Sequence, residues 1–130
     1  MALTVDMTGK LFSKTFIVAS VFTTGDAKET WIAPCDAILV YANAHIKTVG
    51  GTGGYTWIQL CNTTDHVNMF NGNGLAIAYN DADGAAEGTL SVTQSRLTVG
   101  DGDVINLDID SCCSGAAEKD LVVETIWRAM

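Results

Sequence analysis

The chain has 130 residues, 48% of them hydrophobic and 17% charged, and a formal charge of −8. That much apolar area excludes a disordered chain and supports one domain with a sizeable core. The surplus of acid over base argues against nucleic acid or an anionic membrane surface as a partner, because both need clustered Lys and Arg.

Met1 to Lys14 shows no basic start followed by an apolar core, and no run reaches the ~20 apolar residues of a membrane helix. The expectation is a protein made and used without translocation. The opening segment reads as either an extended arm or a first edge strand. Thr15 to Thr23 is β-branched and aromatic, hence a strand. Thr24-Gly25-Asp26 reads as a turn, and Glu29 to Ala33 as a short strand stopped by Pro34, which cannot donate to a ladder. Ala37 to Val49 is the longest strand candidate. Its Tyr41, Asn43, His45 and Lys47 are expected on one face, opposite Val40, Ala42, Ala44 and Ile46.

Gly50 to Gly54 links into a strong strand at Tyr55 to Asn62. Asn71-Gly72-Asn73-Gly74 offers residues suited to positive φ, followed by a short strand over Leu75 to Tyr79. Asn80 to Gly84 is a polar loop, Thr89 to Gln94 a strand, and Leu97 to Val99 a short extended piece. After the turn Gly100-Asp101-Gly102, Ile105, Leu107 and Ile109 alternate with Asn106, Asp108 and Asp110, which is a strand with one wet and one buried face. Ser111 to Asp120 reads as a loop. Leu121 to Ala129 fits one helix face or a strand, and its β-branched and aromatic content favours the strand.

Strands at this spacing give an all-β fold: a two-sheet antiparallel sandwich of jelly-roll type with about eight strands. An immunoglobulin-like sandwich spaces its Cys–Trp–Cys set more widely than Cys35, Trp57 and Cys61. The predicted division is residues 1–14 as arm or edge strand and 15–130 as the sandwich.

The chemistry-bearing residues do not assemble into a reaction centre. Cys35, Cys61, Cys112 and Cys113 read as buried thiols, since the spacing lacks paired CxxC units and the histidines lie on other stretches. Asp81-Ala82-Asp83-Gly84 begins like a calcium loop, yet the terminal Glu and the flanking helices are missing, so a solvated turn is expected. Asp101, Asp103, Asp108 and Asp110 form an acidic cluster. Asp108 and Asp110 would stand ~7 Å apart on one strand face, with neither expected to be buried or perturbed, as residues that discourage edge pairing. His45 and His66 lack a nucleophile motif such as Gly-x-Ser-x-Gly. No metal, no cofactor and no enzymatic activity are expected. Trp31, Trp57, Trp127, Tyr41 and Tyr55 suit a sugar-stacking platform, or core and subunit-interface anchors, and the second use is favoured. Trp31, Tyr41 and Trp127 are the predicted oligomer contacts.

The stretch Thr30-Trp31-Ile32-Ala33-Pro34-Cys35-Asp36-Ala37-Ile38-Leu39-Val40 resembles a recurring element of small virion proteins of tailed bacteriophages. In these, a short strand ending in W-x-A-P leads through a turn into another strand. Leu97-Thr98-Val99-Gly100-Asp101-Gly102-Asp103-Val104-Ile105 is similar to their v-x-x-G-D-x-I lead into a strand, and the layout of residues 15 to 129 resembles jelly-roll capsid decoration (cement) proteins. The resemblance implies a non-enzymatic homotrimer on the capsid exterior, made in the host cytoplasm and bound between major capsid protein subunits. On that reading Met1 to Lys14 is an arm with Phe12 as apolar anchor and Lys10 and Lys14 meeting acidic capsid surface; an ordinary edge strand is the equal alternative. The rivals are a carbohydrate- or receptor-binding sandwich from a phage tail, fibre or baseplate, and a cupin-like enzyme, whose metal ligands His45 and His66 do not supply.

Overall fold

The computed structural model describes residues 6–48, 51–80, 94–113 and 118–130. Within them lie β1 (Leu11–Val21), β2 (Gly25–Ile32), β3 (Ala37–Thr48), β4 (Tyr55–Asn62), β5 (Val67–Asn68), β6 (Leu75–Ala78), the helical turn α1 (Gln94–Leu97), β7 (Thr98–Val99), β8 (Val104–Ser111) and β9 (Lys119–Ala129). Every pairing is antiparallel. One sheet has the order β1-β9-β3-β7. The other runs β2-β8-β4, with β5 and β6 both on the side of β4 away from β8. Strands β1 to β4 alternate between sheets, β7 to β9 do the same, and the first and last strands pair. This is the jelly-roll order. The chain is an all-β, two-sheet antiparallel sandwich.

Period-2 patterning sets the inner faces. In β8, Ile105, Leu107 and Ile109 are fully buried while the residues between them are not. The closing segment with two possible periodicities is a strand, because β9 is hydrogen-bonded on both sides and buries Leu121, Val123, Thr125, Trp127 and Ala129 in strict alternation. The core centres on aromatic contact between the sheets. The Trp31 ring lies 5.1 Å from Trp127, 6.3 Å edge-on from Phe16 and 6.4 Å from Phe12. The buried Trp127 indole donates to Thr125 Oγ1 at 2.8 Å, and that hydroxyl donates to the Lys14 carbonyl at 2.7 Å. On the β1 side, Lys14 Nζ reaches Glu29 Oε1 of β2 at 3.0 Å, and Glu29 Oε2 accepts the Ile17 amide at 2.7 Å. Strand β1 is thereby tied to both sheets.

Several details differ from the sequence reading. Strand β3 carries a bulge against β9 between Leu39 and Tyr41. The bulge puts two successive residues, Val40 and Tyr41, outside, so Val40 does not join Ala42, Ala44 and Ile46 on the inner face. The turn expected at Thr24-Gly25-Asp26 is the bulged start of β2: Gly25 already pairs with Ile109, Ala27 has φ 52°, and its amide donates to Asp108 Oδ1 at 2.8 Å. Leu97 ends a helical turn, and only Thr98–Val99 is extended. Strand β5 was not foreseen. Gly74, in the predicted turn, has φ +111°, and an added Cβ would sit 2.1 Å from the Ile58 carbonyl oxygen. Residues 81–84 of the predicted polar loop, including Asp81-Ala82-Asp83-Gly84, residues 89–93 of the predicted strand and residues 114–117 of the closing loop lie outside the described residues.

The two resemblance-bearing stretches meet at one end of the sandwich. Ala33 donates its amide to the Asp103 carbonyl and accepts from the Gly102 amide, both at 2.9 Å. The Asp101 amide donates to Asp36 Oδ1 at 2.8 Å, and Asp103 Oδ2 accepts from the Gly100 amide at 2.8 Å and from Asn62 Nδ2 at 2.9 Å.

The polar relay in the core predicts the effect of Thr125→Val. The substitution keeps the volume but leaves the buried Trp127 N–H without its acceptor, and it should lower stability by ~1–3 kcal/mol in urea denaturation. Thr30→Val, which breaks an exposed 2.9 Å contact with Asn106, should change far less.

Candidate functional site

The outer face of the β1-β9-β3 sheet is built from cross-strand rows. Leu11 pairs with Arg128 and Arg128 with Ile38; the next outward rows are Ser13–Ile126–Tyr41, Thr15–Glu124–Asn43 and Ile17–Val122–His45. Leu11 and Ile17 are more than half exposed, and Val40 and Tyr41 are also exposed, with Ile126 and Val122 half-buried between them. A shallow cavity of about 350 Å³ lies among Asn43, Ala44, His45, Val122 and Glu124. Contiguous large apolar groups that face water are a feature of interaction and ligand-binding surfaces.

The outer face of the other sheet is different. Tyr55 and Trp57 project from β4 with ring centroids 5.9 Å apart, Tyr55 exposed and Trp57 half-buried. On β8, Asp108 and Asp110 meet Asp26 from the bulged start of β2, with carboxylate oxygens within 4.8 Å of one another. Burial raises the Asp108 carboxyl above its ordinary range; the Ala27 amide opposes that rise, and Asp26 and Asp110 add to it. Burial and Asp26 raise Asp110 in the same direction. The sequence reading of these residues as unburied and unperturbed is corrected: Asp108 is half-buried, and the bulge that admits Asp26 had no signal in the local pattern. Among the described residues this is the only group of three or more His, Cys, Asp or Glu side chains close enough to share a cation. Three carboxylates would still leave much of the roughly six to eight oxygens that calcium takes to other donors. The acidic cluster read from sequence is split, since Asp101 and Asp103 belong to the turn at the end of the sandwich.

That end carries a cavity of about 500 Å³ lined by Asp36, Asp65, Ser95, Thr98, Val99, Gly100 and Met130. Two of its lining residues belong to the turn network, Asp36 through its carboxylate and Gly100 through its amide.

The predicted contact residues occupy three kinds of environment. Lys10 is exposed just ahead of β1. Phe12 packs on Trp31, and Lys14 is ion-paired to Glu29 with its ammonium 5.1 Å from the Phe16 ring centroid, so both serve their own domain. Trp127 is fully buried, which makes it a core residue and not an oligomer anchor, and Trp31 is half-buried against it. Tyr41 is 45% exposed and stands on the apolar-studded face. Strand β1 begins at Leu11, so the strand runs across the proposed division at residue 14.

All four cysteines are free thiols, with Cys113 buried and the other three half-buried. Burial pushes each thiol up, away from the thiolate. His45 lies on the outer face of β3 and His66 in the turn after β4. Sequence reading missed Glu118, a 2% exposed carboxyl. Its Oε1 accepts from the Thr56 hydroxyl and from the Cys113 amide, and its Oε2 has no hydrogen-bond partner among the described residues. Its place next to a polar loop concealed its burial.

The carboxylate cluster fixes the sign of a pH effect. Because folding raises the Asp108 and Asp110 values, the folded state holds protons more tightly, and stability falls as pH rises from the ordinary value of 3.8 through the raised ones. Asp110→Asn should therefore stabilise the protein at pH 7, with the gain vanishing below pH 3.8 in urea titrations across pH. A scan against protein-family models finds no match, and neither the curated proteins nor the solved structures contain one.

Proposed function

We propose that this chain is a non-enzymatic virion structural protein, a capsid decoration protein that forms a homotrimer and binds between major capsid protein subunits on the capsid exterior. The observation that carries the reading is the outer face of the four-stranded sheet, where Leu11, Ile17, Val40 and Tyr41 are exposed on a chain of charge −8. Such a face suits repeated protein–protein contact. The jelly-roll order supports the reading, as does the bonding of the Trp31-to-Asp36 corner to the Gly100-to-Asp103 turn, because these are the stretches that resemble phage virion proteins. Three chains acting together would hold a shell through multivalent contact, with no single tight site required. Phe12 and Lys14 are committed to the domain, so attachment through the N-terminal segment falls to Lys10 and the residues before it.

The Tyr55–Trp57 pair favours a second reading, a carbohydrate-binding module of a tail or fibre, since exposed ring faces can stack on sugars. Glycan binding that Tyr55→Ala abolishes would favour that reading over the first.

Light scattering coupled to size-exclusion chromatography should give about three times the 13.7 kDa chain mass. A monomer would count against the trimer. Deleting residues 2–8, which leaves β1 whole, should preserve the trimer and abolish co-sedimentation with undecorated capsid shells. A deletion extended through Lys14 would also cut into β1 and remove Phe12 from the core.

A further inference from the structure

We infer that copies of this chain meet through the outer face of the β1-β9-β3 sheet, with Ile17, Tyr41 and Ile126 at the contact; this rests on the oligomer proposed above and assigns it a surface. Four observations converge on a second copy as the occupant. The first is composition: the face combines exposed Leu11, Ile17, Val40 and Tyr41 with half-buried Val122 and Ile126. The second is charge. On a chain of −8, this face sets Lys47 and Arg128 against Glu124 and Asp120, so it is balanced, and each sign can meet its opposite on another copy.

The third is area. Eleven residues at ~3.3 Å rise and three strands at ~4.8 Å spacing span roughly 36 by 14 Å. That plane of roughly 500 Å² is smaller than the ~800 Å² per partner of a standard interface, and side-chain relief narrows the gap. The fourth is that the rival surfaces resist self-contact. The opposite sheet presents Asp26, Asp108 and Asp110 together, and three copies converging through that sheet would gather like charges at one place. The outer edge of β1 is blunted where Glu29 takes the Ile17 amide, which disfavours extending the sheet strand to strand. Tyr41 is the anchor suited to such a contact, an aromatic group with a polar tip on β3, beside Ile126 of the middle strand.

The test is light scattering on four proteins at matched concentration, with far-UV circular dichroism as the fold control. Wild type should run as the trimer, and Ile17→Asp combined with Tyr41→Asp as the 13.7 kDa monomer with an unchanged spectrum. Tyr41→Ser alone, a mild change at an exposed position, should weaken association at least tenfold and decides the matter if the double variant unfolds. Tyr55→Ser, on the opposite sheet, should leave the trimer intact. A trimer that survives both Tyr41 variants, or one that Tyr55→Ser breaks, overturns this face while leaving the oligomer standing. Variants that stay trimeric but lose shell binding give the face to the capsid and equally overturn the inference. A monomeric wild type removes the oligomer itself.

Discussion

The structure depends on the contact between Trp31 of β2 and Trp127 of β9, one ring from each sheet. Two large apolar rings at the centre of a small sandwich bury more area than any aliphatic pair could. They also impose a constraint, because the Trp127 indole carries an N–H that must be satisfied in the interior. Thr125, two residues earlier on the same inner face, accepts that proton and passes its own to the Lys14 carbonyl. The same Lys14 reaches across to Glu29 of β2. Core packing, edge-strand docking and the join between sheets thus run through one connected set of side chains.

This coupling explains which parts of the fold were legible. The alternation of Ile105, Leu107 and Ile109 is local and sets a strand whatever its neighbours do, and the bounds of β4 followed from its apolar run. Residues 121–129 needed only a strand preference to settle a two-way pattern. The bulge at Val40 was hidden, because an apolar residue beside an aromatic one looks the same whether it faces in or out. Strand β5 has two residues and exists only because β4 offers a partner. The roles of Trp31 and Trp127 were equally hidden, since core and interface use the same aromatics. The approach of Asp26 to Asp108 and Asp110 joins two strands distant in sequence, and no single stretch records it.

The two outer faces divide the surface chemistry. One sheet gathers exposed aliphatic groups with charges of both signs, and the other gathers three carboxylates beside an aromatic pair. The four thiols, Cys113 buried and the other three half-buried, are held away from the thiolate by burial.

The position of β9 has a consequence for synthesis. It is an interior strand of its sheet, inserted between β1 and β3, although it is the last of the strands in sequence. Until it emerges from the ribosome, β1 lacks a hydrogen-bonding neighbour within its sheet and β3 has only the two-residue β7. Strand β1 must therefore wait for a partner far along the sequence, and distant pairings of this kind fold slowly. The outer face that would join one copy to another is itself laid down by three strands, and it exists only once the final one is in place. A contact made through that face would therefore wait for β9.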